Sequence, residues 1–191
     1  NSINYFISKN DAISANRYIA DFSKLIRSIL YNFNSDFISL EKEIESIEEY
    51  LKIEHLRFGD KFNYKINLNS DIPPGQLKVS PGLVQPFVEN AIWHGVRGLD
   101  RRKGNVVITY TLHNEKLTCT IEDDGIGRKN AEVNKSKIDR KVSRGISIVT
   151  ERLNIINKLQ KSNYQVIISD LYPEMQETGT KVFIGIPVKK S

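Results

Sequence analysis

The sequence predicts an α+β protein: an N-terminal antiparallel helical hairpin, then a mostly antiparallel sheet with helices on one face. Three observations carry this. Apolar residues recur at four- and three-residue steps at Ala15, Ile19, Phe22, Ile26, Ile29 and Phe33, and again at Leu40, Ile44, Ile47 and Leu51, narrow stripes of the kind that pair helices. From Phe62 onward the pattern changes to the alternation of half-buried strands. Two later stretches, around Leu83–Ile92 and Ile146–Leu159, return to helical spacing between strands, an order that segregates helices to one side of a sheet.

In chain order, Asn34-Ser35-Asp36 breaks the first helix with turn chemistry. Ser39 reads as the N-cap of the second, with Glu41 and Glu43 in the first turn, where the helix dipole favours acids. That helix runs to about Phe58 and Gly59-Asp60 ends it, so residues 1–60 form the hairpin and 61–191 the second domain. Phe62, Tyr64, Ile66 and Leu68 mark a strand, and Asp71–Gly75 a loop. Pro81–Gly95 reads as a helix, with Ser80 as N-cap and Pro81 as first helical residue, or starting only at Pro86. Val106–Leu112 and Leu117–Ile121 form a hairpin turning near Asn114. Gly125–Arg144 is charged and poor in apolar residues, as mobile loops are. Gln165–Ser169 and Lys181–Val188 are the last strands.

Bulk properties narrow the function classes. With 191 residues there is room for one domain and a helical appendage. A net charge of +5 and a pI of about 9.2 lean toward anionic partners, nucleotide phosphates included, but no like-charge block is long enough for a nucleic-acid tail. Arg101-Arg102-Lys103 and Lys189-Lys190 read as solvated loop and tail. The single cysteine, Cys119, excludes an intrachain disulfide and a CxxC metal site and fits a reducing, cytoplasmic setting. No apolar run approaches the ~18 residues of a membrane span. The first residue is Asn rather than Met, so a piece of a longer protein is expected, with any anchor or sensor upstream.

Two stretches carry chemistry. In PGLVQPFVENAIWHG, Asn90 and His94 lie one helical turn apart on one side, opposite an apolar face. That is either a polar rim or the metal and phosphate side of a nucleotide site. In IEDDGIG, Asp123 stands at the end of a strand, where a carboxylate can accept a hydrogen bond from an exocyclic amine such as that of adenine. Gly125 and Gly127 allow close backbone approach. Asp and Gly also make ordinary turns, so the order of the motifs decides: the Asn-bearing helix, DxGxG about thirty residues on, a charged loop ending at Arg144-Gly145, a helix, then Gly179-Thr180 opening the last strand.

This order resembles the ATP-binding fold of sensor histidine kinases, gyrase-type ATPases, Hsp90 chaperones and MutL. QPFVENAIWHG is most similar to the N box of LytS-like sensor histidine kinases, usually QPLVENAIKHG, and LEKEIESIEEYLKIEHLRFGDKF to their second hairpin helix. The opening NSIN matches the end of their phosphoacceptor segment, PHFLFNSLNSI. The resemblance spans essentially the whole chain. It implies that Asn90 coordinates Mg²⁺ bridging the ATP phosphates, with His94 beside the phosphates and Glu89 as the acid next to that Asn. It implies further that Asp123 binds the adenine amine, with Thr180 lining the same end through water and Gly125 and Gly127 shaping the pocket. Gly145 would open a second glycine box at a helix N-terminus, where backbone donors suit phosphate. Arg128 and Arg144 belong to a loop that could close over the phosphates. The implied partners are ATP and Mg²⁺, a second copy through a four-helix interface of Ile19, Phe22, Ile26, Ile29, Ile44, Ile47 and Leu51, and a response regulator.

The sequence departs from the family at three points. The phosphoacceptor His falls four residues before Asn1; His55 and His113 do not occupy that position and read as structural. Ser147 stands where the second glycine box usually reads GIGL, and Trp93 replaces the usual Lys of the N box. Two other readings remain at this point. One is a dimerisation or nucleotide-binding module without kinase activity. The other is a gyrase- or MutL-like clamp, whose general-base Glu would fall at Pro86.

Overall fold

The structure, a computed structural model, describes residues 11–133 and 139–190. The NSIN opening and part of the expected mobile loop lie outside them. The predicted α+β architecture is present. Helix α1 is Ala12–Phe33, capped by the Asp11 carboxylate, which accepts from the Ser14 N–H at 3.0 Å. Strand β1, Ile38–Ser39, leads into α2, Leu40–Phe58, whose N-cap is Ser39 as its sequence implies; its hydroxyl accepts from the Lys42 N–H. Gly59, at φ 61°, ends α2.

The main sheet has the order β2-β4-β5-β7-β6. β2 (Phe62–Leu68) runs parallel to β4 (Gly104–His113). The remaining neighbours are antiparallel: β4 with β5 (Lys116–Asp123), β5 with β7 (Thr180–Ile186), and β7 with β6 (Val166–Ser169). Asn114 and Glu115 join β4 to β5 with φ of 47° and 63°, the two positive values that match a tight turn to strand twist. A smaller sheet pairs β1, β3 (Leu77–Val79) and β8 (Val188–Lys190). The inner face of the main sheet, including Ile108, Tyr110, Cys119 and Ile184, is covered by α2, by α3 (Gln85–Asn90) and by α5 (Asp139–Gln160). The short α4 is Gly127–Val133.

Three expectations are corrected. Residues 81–84 form turns and α3 begins at Gln85, so Ser80 is not its cap. The Ser80 hydroxyl instead bonds the Asp36 carbonyl and the Arg152 guanidinium. The helix before Leu159 starts at Asp139, not at Ile146. The two apolar stripes do not form one seam. Ile47 and Leu51 are 1% and 0% exposed inside this chain's own core, because α2 turns them onto the sheet side, so they are not available to a second copy. On α1 the buried apolar residues are Ala15, Tyr18 and Leu25, while Ile19, Phe22, Ile26 and Leu30 face outward.

Candidate functional site

The helix after Gln85 does not end at Asn90. It widens into a π turn, Ala91–Gly95, and closes with a 3₁₀ turn, Val96–Gly98. Single π turns inside helices frequently mark functional sites. Phe87, Val88, Ala91, Ile92 and Val96 face the core. The opposite side is half-buried and divides into two edges by four-residue spacing. Gln85, Glu89 and Trp93 face α2, and the Gln85 amide donates to Glu89 at 3.1 Å. Pro86, Asn90 and His94 follow the other edge, where Pro86 meets α5: a Cβ on Gly145 would lie 3.1 Å from the Pro86 ring.

The far end of this helix rests on Asp123. A Cβ on Gly95 would sit 2.5 Å from Asp123 Oδ1, and a Cβ on Gly125 would overlap the Gly95 backbone. Neither position tolerates a side chain, and the Ile126 N–H donates to the Gly95 carbonyl at 3.3 Å. The end of β5 and the end of the π turn are therefore packed backbone to backbone. Asn90 lies five residues back along the same helix from Gly95, at the start of the π turn.

Asp123 is 3% exposed. Burial pushes its carboxyl up to about 7, while the Gly125 N–H, donating to Oδ1 at 3.0 Å, and the Thr180 hydroxyl pull it down. Thr180, itself buried, is its cross-strand partner on β7. Gly127 opens α4 at φ 81°, against Thr178. Thus Asp123, Gly125, Gly127 and Thr180 are brought together, with Asn90 and His94 along the adjoining helix. Glu89 is on the α2 edge instead. Gly145 lies in the second turn of α5, so its N–H belongs to a helix rather than to a helix N-terminus. Ser147 is exposed one turn from Glu151, to which its hydroxyl bonds at 3.3 Å. Of the loop cations, Arg128 pairs with Asp170 at 2.9 Å, and Arg144 is exposed.

Sequence reasoning missed residues that hold the site's frame. Arg102, read as a solvated loop residue, pairs with Asp124 at 3.0 Å and Glu177 at 3.0 Å and donates to the Asp124 carbonyl, tying the loop after β5 to the loop before β7. Asp124 also accepts from the Asn105 N–H and side-chain amide, both at 2.7 Å. Glu43, read only as a first-turn acid favoured by the helix dipole, is 4% exposed and accepts from the Gly82 N–H at 3.0 and 3.1 Å. No local pattern marks either residue, since their partners lie far off in sequence.

The half-buried Asn90 amide is chemically compatible with a magnesium–nucleotide ligand. Mg²⁺ keeps several waters and takes few protein ligands beside phosphate, so one amide oxygen at Asn90 suffices. Among the described residues no cluster of three or more His, Cys, Asp or Glu is built to hold a metal by itself.

The fold that carries this arrangement is similar to that of histidine kinase catalytic domains. The fold matches a mycobacterial sensor histidine kinase, MprB, with a TM-score of 0.53 at 14% identity, covering 81% of this chain and 98% of that one. It also matches the catalytic domain of histidine kinase ThkA with a TM-score of 0.51 at 11% identity, covering 81% and 97%. A histidine kinase family model matches residues 1–62. The sensor protein LytS of Staphylococcus haemolyticus is 28% identical over 193 residues, 98% of this chain and 31% of its own length. LytS of Staphylococcus saprophyticus is 34% identical over 119 residues, 61% of this chain and 19% of its own. The sequence is thus similar to LytS sensor proteins along nearly its whole length, and its fold to that of histidine kinase catalytic domains. It spans about a third, at most, of the length of these relatives.

Proposed function

We propose that this chain is the catalytic and partial dimerisation region of a two-component sensor histidine kinase. It binds Mg-ATP and passes the γ-phosphoryl group to a His upstream of Asn1, from which the group moves to an aspartate of a response regulator. The observation that supports the reading is the packing of Gly95 on Asp123, which puts a buried carboxylate at one end of the helix that bears Asn90. Asp123 accepts the adenine amine with Thr180 beside it, Asn90 takes the metal, and His94 lines the phosphates on the same helix edge. Bound Mg²⁺ neutralises charge on the transferring phosphoryl group, which such transfers need more than covalent chemistry. The P–O bond to the leaving ADP breaks, an N–P bond to imidazole forms, and the imidazole loses its proton.

The exposed α1 stripe Ile19, Phe22 and Ile26 offers a surface for a second copy, with residues 1–60 as the dimerisation part and 61–191 as the ATP-binding part. Among the described residues no helix is long and apolar enough to cross a membrane. The chain is the cytoplasmic part of a sensor anchored elsewhere in its length. One observation favours a second reading, a module without kinase activity: Gly145 sits inside α5, where its N–H is not open to phosphate. The clamp reading has no general base, because Pro86 occupies that position and packs on Gly145. Calorimetry decides between the first two. Mg-ATP binds the wild type, and Asn90→Ala or Asp123→Asn weakens binding at least a hundredfold. Absence of heat with millimolar Mg-ATP establishes the module instead.

A further inference from the structure

Helix α3 with its π turn, which carries Asn90, is held at both ends by α2, the second helix of the hairpin. At the N-terminal end the grip is Glu43. Its buried carboxylate accepts from the Gly82 N–H and is faced by the N–H groups of Leu83 and Val84, so it serves the turn that launches α3 as a cap supplied from another element. Arg152 of α5 closes the same turn from the other side, donating to the Pro81 carbonyl at 2.8 Å and to the Ser80 hydroxyl.

At the C-terminal end the grip is aromatic. Arg57, in the last turn of α2, stacks its guanidinium 4.5 Å from the Trp93 indole, and Arg97 stacks at 4.6 Å. The Phe58 ring meets the indole edge-on at 5.5 Å. Cation–aromatic contacts of this kind gain strength when partly desolvated. Between the two grips, the buried Tyr50 hydroxyl lies against Trp93, and one Glu54 carboxylate oxygen is buried without a hydrogen-bond partner among the described residues. Tyr50 and Glu54 are electrostatically coupled to Glu89, the neighbour of Asn90. Trp93 thus occupies the family's usual Lys position as part of a joint with the hairpin.

We propose that Glu43 and the Arg57–Trp93 stack are positioning elements that couple α2 to the metal end of the nucleotide site. A displacement of the hairpin helix then moves Asn90, whereas Asp123, fixed by the sheet, stays in place. The proposal rests on the nucleotide reading above. It separates two quantities: affinity for ATP without metal, set by the purine end, and the gain in affinity on adding Mg²⁺, set by Asn90.

The test titrates the whole 191-residue chain with ATP, with and without Mg²⁺, by calorimetry, and follows the emission of Trp93, the only tryptophan in the sequence. Glu43→Ala and Arg57→Ala are expected to lose at least tenfold of the Mg²⁺-dependent gain while Mg-free affinity stays within twofold. Glu43→Gln, whose amide oxygen still accepts, recovers most of the gain. In the wild type, Trp93 emission shifts with Mg-ATP and not with Mg-free ATP, and Glu43→Ala loses the shift. Arg57→Ala, at a half-buried position, supplies the same test should Glu43→Ala not fold. Retention of the full Mg²⁺-dependent gain in both Glu43→Ala and Arg57→Ala overturns the positioning role and leaves the nucleotide site standing. Absence of any ATP binding by the wild type removes the site, and the positioning role with it.

Discussion

Asp123→Asn should stabilise the free protein at alkaline pH while removing its nucleotide affinity. The carboxyl titrates near 7 in the fold against 3.8 for an ordinary Asp, because burial disfavours the charge. The folded state therefore holds a proton over a range where the unfolded state has released it. Stability falls as pH rises from about 4 to about 7, and the loss is complete above that. At about 1.4 kcal/mol per pH unit, holding the ionised group costs on the order of 4 kcal/mol. Asn removes that cost but forfeits an acceptor for the Thr180 donors, about 1–2 kcal/mol. The net gain at pH 8.5 is roughly 2–3 kcal/mol, a rise of about 5–10 °C in Tm for a chain of this size. At pH 4 the sign reverses, because the forfeited acceptor is no longer offset. Affinity moves the other way. The one amide oxygen of Asn is needed by the Gly125 N–H, which now bonds Oδ1, so the NH₂ group turns a donor toward the purine amine. Differential scanning calorimetry at both pH values and an ATP titration at pH 8.5 read the two effects. An equal Tm for the two proteins at pH 8.5, or an ATP affinity within threefold of wild type, would refute the account of Asp123.

Gly95→Ala places a methyl 2.5 Å from Asp123 Oδ1 and should cost at least about 2 kcal/mol in urea unfolding, as overpacking does. Glu43→Ala leaves the partly buried N–H of Gly82 without its acceptor and should lower stability by about 1–3 kcal/mol in the same assay. Ile19→Asp with Phe22→Asp should shift the proposed dimer to monomer in sedimentation while the monomer keeps its helical circular dichroism, since both side chains are exposed. Leu51→Asp, in the core, should instead unfold the chain. The Cys119 thiol is fully buried, and burial pushes its pKa well up, so it should react with a thiol reagent only at the unfolding rate.

What the sequence by itself determined was the local chemistry and its order. Ser39 could be named as a cap because its partner is three residues away, and the Asn114 turn because the strands it joins are adjacent. Asn90, His94 and DxGxG could be named because short spacing and motif order define them. Only the tertiary structure decided the rest. It put Glu43 under Gly82 across thirty-nine residues and Arg102 on Asp124 and Glu177, and it drew Ile47 and Leu51 away from a seam into the core. It also extended α5 back past Gly145 and spread Glu89 and Asn90 onto different edges of one helix. The physical reason is that an apolar stripe states that a face will be buried, not against what, and a buried charge takes whichever donors the packed chain brings to it.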